Sequence, residues 1–333
     1  GGAYCGFRGR AGLAGSRDAA GGQYHIPNFQ IDSYMIYTNN VPCGSYRAPG
    51  QPQVAFAVES HTDMIAREMG IDPYELRFKN VVRDGQMSAT GARYNHLRGE
   101  ETLKAAADAA GWDTPKSGLY TGRGISLGQR PQGQSVYSAK VTMDENAQVT
   151  YHTFVPESGT GIHTVGRQVV AEDLGVSIED VRAVQMDTDS GTADAGAGSG
   201  SSVGGTHAAL GAAEGVRNHL TLMAAEFYGW PEERIMFRGG RVFIEGDADR
   251  GVSIKELASK VVAATGAHIS FSKTTAAEEP DITCFCAQVA EVEVDPETGK
   301  SDILRYTAVQ DVGKAVHPSY VEGQIQGGAV QGI

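Results

Sequence analysis

A stretch of small residues in the second half of the chain is the strongest candidate for binding chemistry. Thr192–Ala213 contains almost nothing but Gly, Ala, Ser and Thr, and it runs from a loop into a predicted helix. Glycines allow close backbone approach, while hydroxyls and N–H groups at a helix start favour an anion. The stretch therefore predicts a site for a phosphate or pyrophosphate cofactor. A flexible interdomain linker is the alternative, but apolar residues continue at helical spacing through Val203–Met223.

An arginine in a proline-rich loop is the second candidate. Arg47 lies within Val41–Gln53, a segment with three prolines and two glycines, and it follows Tyr46. A rigid loop of this kind places a guanidinium for bidentate binding of a phosphate or carboxylate. A salt bridge with a nearby acidic residue is the other interpretation, and the sequence alone leaves both open.

Other catalytic patterns fail in their context. Gly200–Gly204 matches the G-x-S-x-G pattern of hydrolases, with Ser202 as its serine, and Asp311 and His317 follow in the required order, but no apolar strand precedes the motif. The glycine spacing does not fit a dinucleotide fingerprint, and there is no phosphate-binding loop ending in G-K-[ST]. The histidines include no HExxH and no cluster with metal-ligand spacing, so we expect no metal held by protein side chains.

Composition excludes several classes of protein. The 333 residues are 41% apolar, which is enough for about two globular domains, and the formal charge of −12 disfavours nucleic acid and anionic membranes as partners. Four cysteines in a chain of this length form no disulfide framework. No apolar run is long enough to span a membrane, and no signal peptide is evident. We expect a reducing, cytoplasmic location.

The predicted elements give a mixed α+β fold in which helices pack on mixed sheets. A polar segment near residues 112–122 predicts a boundary between a domain of residues 1–118 and a domain of residues 119–333. Predicted strands lie at residues 24–38, 124–127, 135–143, 149–154, 181–186, 235–244, 283–294 and 302–309. Predicted helices lie at residues 51–69, 101–110, 165–174, 203–223, 254–265 and 320–333, and a further short helix is predicted after Asp72-Pro73.

Several motifs, taken in order, resemble one known family. They are Tyr24-His-Ile-Pro-Asn28, Ser45-Tyr-Arg-Ala-Pro-Gly-Gln-Pro-Gln53, Arg77-Phe-Lys-Asn80, Glu157-Ser-Gly-Thr-Gly-Ile-His-Thr164, Gly200-Ser-Ser202, Val292-Glu-Val-Asp295, Asp311-Val-Gly-Lys314 with Pro318, and Gly323-Gln-Ile-Gln-Gly-Gly328. The chain resembles, over essentially its whole length, the molybdenum-cofactor-binding large subunit of the xanthine dehydrogenase and aldehyde oxidase family. This resemblance implies two molybdenum-binding domains, the first truncated at its start and the second at its end.

The resemblance also implies a cofactor and its contacts. The cofactor would be molybdenum held by a pterin dithiolene, in the cytosine dinucleotide form of bacterial relatives. Ser45, Tyr46 and Arg47 match a loop beside the molybdenum centre, and Gln324 matches a glutamine that hydrogen-bonds the cofactor. The remaining cofactor-binding residues implied are Gly159, Thr160, Gly161, Gly200, Ser201, Ser202 and Val203.

The family implies an activity and partners as well. The complete protein would oxidise a small molecule, an aldehyde or N-heterocycle, using water as the oxygen source. It would pass electrons to an iron–sulfur subunit or domain and an FAD subunit or domain, within a homo-oligomeric complex.

Departures from the family pattern limit this interpretation. Thr160 stands where the family has a glutamine, and Pro49 replaces an aromatic of some relatives. The family's Gly-Gly-Phe-Gly-Gly loop is missing, and its catalytic Glu is expected beyond Ile333, so this chain contains no catalytic residue. We therefore expect the 333 residues alone to be inactive and without the cofactor. A non-catalytic scaffold of the same fold is the alternative.

Overall fold

The computed structural model describes residues 19–41, 44, 46–131, 136–187, 189–191, 196, 198, 200–275 and 283–333. The chain divides into two compact units. Residues 1–132 and 280–333 form the first unit, and residues 133–279 form the second. The boundary predicted between residues 118 and 119 divides the sequence into domains, which are distinct from these compact units. It remains a prediction.

The first unit contains four helices and one sheet among its described residues. The helices are α1 (Gln51–Met69), α2 (Pro73–Asn80), α3 (Gly99–Ala110) and α7 (Pro318–Gly332). The strands β1 (Thr121–Pro131), β9 (Thr283–Val294) and β10 (Ser301–Gln310) form an antiparallel sheet with β9 in the centre. Burial alternates along β9, so Phe285 and Ala287 face a core that also holds Leu103 and Leu127.

The second unit is built on a four-stranded mixed sheet. Its order is β4 (Val181–Gln185), β3 (Val149–Thr153), β2 (Ser138–Met143) and β8 (Ile269–Thr274), and only β3 and β4 are parallel. A small antiparallel sheet contains β5 (Ile235–Arg238), β6 (Arg241–Ile244) and β7 (Asp247–Ser253). The helices are α4 (Ile162–Leu174), α5 (Gly200–Tyr228) and α6 (Ile254–Thr265).

The long helix α5 packs against β2 and β8 through small residues. A Cβ atom at Gly215 would overlap the ring of Phe271, and one at Gly211 would lie 2.8 Å from Cγ of Lys273. Glycine is therefore needed at both positions for the helix to approach the sheet this closely. Val216 and Leu220 are fully buried on the same helix.

The α+β prediction is confirmed, and α6 and β9 have the predicted bounds. The strand predicted within residues 24–38 is wrong, because Tyr24 forms only an isolated bridge with Val81. Tyr34, Ile36 and Tyr37 are exposed, so these residues of high β-propensity have no buried surface to pack against. The strands β7 and β8 were missed, because most of their residues are exposed and polar.

A buried ion pair joins the helices of the first unit. Arg77 on α2 is fully buried, and its Nε donates to Oε2 of Glu59 on α1 at 2.7 Å. Its Nη1 donates to Asp63 at 2.7 Å, and the N–H of Leu127 on β1 donates to Glu59 at 2.9 Å. Tyr24 donates its hydroxyl to the same carboxylate at 2.8 Å. Burial alone would lower the pKa of Arg77, but the Glu59 carboxylate more than offsets this, and the pKa is raised.

Replacing Arg77 tests how much this ion pair supports the first unit. Arg77→Met leaves the Glu59 carboxylate buried without its cation, so we expect unfolding free energy to fall by about 3–5 kcal/mol. Chemical denaturation measures it, with the exposed Arg67→Met as the control. The double variant Glu59→Gln with Arg77→Met should recover part of the loss. A loss of less than about 1 kcal/mol for Arg77→Met, which is the scale of a surface ion pair, would contradict a structural role for the pair.

Candidate functional site

The loop before α1 places Arg47 against α7. Nη2 of Arg47 donates to the side-chain Oε1 of Gln324 and to its backbone carbonyl, both at 3.1 Å. Left-handed backbone at Ala48 (φ 53°) and Gly50 (φ 85°) turns the chain into α1. Arg47 and Gln324 are therefore in direct contact, although they lie 277 positions apart in the sequence. Both were predicted to bind the cofactor.

The hydrogen bond also fixes the orientation of the Gln324 amide. A guanidinium can only donate, so the amide must present its oxygen to Arg47. The NH₂ group of Gln324 then points away from Arg47 as a donor. Within the described part of the chain, the side chain of Arg47 bonds only to Gln324, and no carboxylate there forms a salt bridge with it.

Arg47 and Gln324 line a cleft of about 290 Å³. The ring of His317 stacks on that of Tyr320 at a centroid distance of 3.8 Å, and its Nδ1 accepts the Tyr320 N–H at the start of α7. Gly328 lies behind the guanidinium, where an added Cβ would be 3.6 Å from Cζ of Arg47. The lining residues are Arg47, Gln310, Val312, His317, Tyr320, Val321, Gln324 and Ile325.

The structure gives less information on the other predicted residues of the Arg47 loop. Tyr46 is 71% exposed. Ser45, which was predicted to bind the cofactor, lies outside the described residues. So do residues 192–195, 197 and 199 of the glycine-rich stretch.

The predicted loop at Gly159, Thr160 and Gly161 belongs to the second unit, where it precedes α4. The N–H groups of Gly159 and Gly161 donate to Oε1 of Glu157 at 2.8 and 3.0 Å. The N–H of His163 donates to Oε2 at 3.2 Å, and the Thr160 hydroxyl approaches Oε1 at 3.4 Å. These backbone donors, His163 and Gly161 foremost, lower the pKa of the Glu157 carboxyl.

Gly200, Ser201, Ser202 and Val203 form the first turn of α5. Gly200 is buried, Ser202 is exposed, and this turn contains no acidic residue. No described side chain accepts a hydrogen bond from the N–H groups of Ser201, Ser202 or Val203. A helix start of this kind presents N–H donors and the positive end of the helix dipole to an anion.

The two glycine-rich segments of the second unit are neighbours. A Cβ at Gly205 would lie 3.2 Å from Cγ2 of Val155 and 4.0 Å from Cδ1 of Ile162. The predicted residues thus form two groups: Arg47 with Gln324 in the first unit, and Gly159–Gly161 with Gly200–Val203 in the second.

Sequence reasoning missed Glu157 and the buried pair of Glu59 and Arg77. Glu157 lies two residues before Gly159 and five before the start of α4, and a carboxylate at this spacing can accept N–H groups of the loop, but the spacing permits other turns as well. Glu59 was harder to find. It shares a face of α1 with buried Ala66, where an apolar residue is the usual occupant.

The described residues give no sign of a metal held by protein ligands or of a membrane span. They contain no group of three or more His, Cys, Asp or Glu that could hold a metal ion. Burial raises the pKa of the Cys286 thiol to about 11, which disfavours the thiolate form needed for metal ligation. None of the helices described is long and apolar enough to cross a membrane.

Comparison with known families decides what the two groups of residues have in common. Residues 1–81 and residues 98–333 each match a family model described as a molybdopterin cofactor-binding domain. The chain belongs to the molybdopterin cofactor-binding family. The resemblance found in its motifs is therefore confirmed.

Individual relatives of the chain are enzyme subunits by name. It is 29% identical to the nicotine 6-hydroxylase large subunit of Paenarthrobacter nicotinovorans over 347 residues, which cover 94% of this chain and 42% of the relative. It is 29% identical to the xanthine dehydrogenase molybdenum-binding subunit of Escherichia coli O157:H7 over 325 residues, covering 92% and 43%. The chain thus spans less than half the length of these relatives.

A solved structure shares the fold. The crystal structure of quinoline 2-oxidoreductase from Pseudomonas putida 86 superposes with a TM-score of 0.83 and 24% identity. The match covers 98% of this chain and 46% of the solved chain.

Each unit contains donors that fit phosphate or pterin oxygens. The first unit has the guanidinium of Arg47 and the NH₂ of Gln324, and the second has the first-turn N–H groups of α5. All of these donate hydrogen bonds, as oxygen-rich anionic groups require. The Gly159–Gly161 loop differs, because Glu157 already accepts two of its N–H groups.

Proposed function

We propose that this chain forms part of the molybdopterin site of a molybdenum hydroxylase. The enzyme oxidises an aldehyde or N-heterocycle with water as the oxygen source. The observation that carries the proposal is the contact between Arg47 and Gln324, since it joins two motif residues and leaves an oriented amide donor at a cleft. The molybdenum cofactor would supply the oxidation chemistry, and the protein would supply binding, orientation and electrostatics.

Each group of residues has a separate task in this proposal. Gln324 donates its NH₂ to an oxygen of the cofactor, and Arg47 holds the amide in that orientation while adding positive charge. The first turn of α5, with Gly200, Ser201, Ser202 and Val203, binds a phosphate of the cofactor. The loop with Gly159, Thr160 and Gly161 forms another part of the wall, as do Ser45 and Tyr46.

The names of the relatives support both substrate classes of this proposal. Nicotine and xanthine, in the names of two relatives, are nitrogen heterocycles, and a third relative is named an aldehyde oxidoreductase. We propose the cytosine dinucleotide form of the cofactor and a cytoplasmic location. Electrons pass to an iron–sulfur subunit or domain and an FAD subunit or domain in a homo-oligomeric complex. Residues 1–118 and 119–333 then belong to the first and second molybdenum-binding domains.

A non-catalytic scaffold is the second candidate, and Thr160 favours it. Its hydroxyl proton is directed to Glu157, so Thr160 offers no donor in place of the long amide of the family's glutamine. Molybdenum content separates the two candidates, because a scaffold of this kind would be purified without the cofactor.

Arg47 provides the direct test of the proposed site. In the complete natural protein, Arg47→Ala should lower the molybdenum and pterin content several-fold, because a hydrogen bond to a charged group contributes about 1.5–3 kcal/mol. Thermal stability should change little, since Arg47 is exposed. Elemental analysis and thermal unfolding measure the two effects.

Arg47→Lys is the matched comparison. It keeps the charge, but its shorter side chain carries no atom at the position of Nη2, which donates to both oxygens of Gln324, so its cofactor content should fall between those of Arg47→Ala and the natural protein. Full cofactor content in Arg47→Ala, together with a large loss of stability, would show that Arg47 has a structural role instead.

The 333-residue chain on its own should carry no molybdenum and show no hydroxylase activity. It spans 42% of the nicotine 6-hydroxylase large subunit, so many contacts of a complete subunit are not supplied. Several lost hydrogen bonds at about 1.5–3 kcal/mol each reduce affinity by orders of magnitude, since about 1.4 kcal/mol is tenfold. Elemental analysis of the purified chain measures this, and near-stoichiometric molybdenum would refute it.

A further inference from the structure

The carboxylate of Glu157 accepts hydrogen bonds from four donors within six residues of chain. Three are the backbone N–H groups of Gly159, Gly161 and His163, at 2.8, 3.0 and 3.2 Å. The fourth is the Thr160 hydroxyl at 3.4 Å. Oε1 accepts from Gly159, Thr160 and Gly161 and Oε2 accepts from His163, so this side chain uses most of its accepting capacity on its own loop.

The loop needs such support because its backbone is intrinsically unrestrained. Gly159 has φ 91° and Gly161 has φ 76°, and glycine populates many other conformations at little cost. A Cβ at either glycine would have no atom within 4 Å, so no close packing constrains these two positions. The ring Nε2 of His163 bonds to the Val155 carbonyl at 2.8 Å beyond the loop, and within the loop the four hydrogen bonds to Glu157 favour this conformation.

The same carboxylate changes what the loop can bind. The N–H groups that would otherwise attract an anion at the start of α4 already face a negative charge. Two neighbouring helix starts thus have different chemistry: α4 begins with an occupied set of donors, and the first turn of α5 contains no acidic residue.

We propose that Glu157 is a positioning residue that holds the Gly159–Gly161 segment in the conformation required for the cofactor site. This inference rests on the proposed function. In this arrangement the loop contributes shape and the Thr160 side chain, and the phosphate of the cofactor is bound at α5 and not at α4.

Two substitutions and one control test the inference. Glu157→Ala removes all four hydrogen bonds. Glu157→Gln keeps an oxygen that can still accept from Gly159 and Gly161, but its NH₂ cannot accept from His163. The control is Glu172→Gln, which removes the same charge from an exposed carboxylate at the other end of α4, where the structure gives no side-chain hydrogen bond.

Amide hydrogen exchange measures the loop directly in the purified protein. With Glu157→Ala, exchange at Gly159, Gly161 and His163 should accelerate about tenfold, which corresponds to about 1.4 kcal/mol. Glu157→Gln should accelerate His163 most, and Glu172→Gln should leave all three unchanged. Equal exchange rates at these three amides in Glu157→Ala and in the natural protein would overturn the inference. Exchange at buried amides of α5 is the internal reference, so a variant of lowered overall stability can still be judged.

Molybdenum and pterin content in the complete natural protein is the second measurement. We expect a several-fold loss for Glu157→Ala, a smaller loss for Glu157→Gln and none for Glu172→Gln, with unchanged thermal unfolding midpoints. Normal content in Glu157→Ala alongside low content in Arg47→Ala would overturn the role of Glu157 and retain the proposed function. Normal content in both variants would overturn the proposed function itself. If Glu157→Ala does not fold, Glu157→Gln decides by the same two measurements.

Discussion

The buried ion pair of Glu59 and Arg77 is the interaction on which the first unit depends. Two charges removed from water are costly unless every hydrogen-bonding position is satisfied. Here Glu59 meets that condition with donors from Arg77, Tyr24, Gln23 and the N–H of Leu127. The pair therefore joins α1, α2 and β1 at a single point.

This connection explains how Arg47 and Gln324 come to lie 3.1 Å apart. Arg47 immediately precedes α1, which the ion pair attaches to β1. β1 pairs with β9, β9 pairs with β10, and β10 leads into α7, which carries Gln324. These packed elements bring the two side chains into contact. The Gln324 amide is oriented because a guanidinium can only donate hydrogen bonds.

Much of the fold was predictable because apolar periodicity and glycine stops are local signals. The helix α6 and the strand β9 have the predicted bounds, and α1 ends at Gly70 in a left-handed conformation, as predicted. Tyr34 and Ile36 misled the prediction, because β-propensity does not say whether a partner strand exists.

The site was predictable in part for similar reasons. Motif order selected Arg47 and Gln324, but no local pattern indicates that residues 277 positions apart touch. The family resemblance implied cofactor contacts for Gly159 and Gly161, and the sequence did not reveal that Glu157 accepts their N–H groups. That outcome depends on three-dimensional loop geometry, since the same spacing permits other turns.

A structure of the complete natural protein with its cofactor bound tests the account most directly. We expect a cofactor oxygen within hydrogen-bonding distance of Nε2 of Gln324, with Oε1 of that residue still accepting a hydrogen bond from Arg47. It also predicts a phosphate at the first turn of α5. A cofactor bound elsewhere, or a phosphate on the N–H groups of Gly159 and Gly161 with Glu157 displaced, would contradict it.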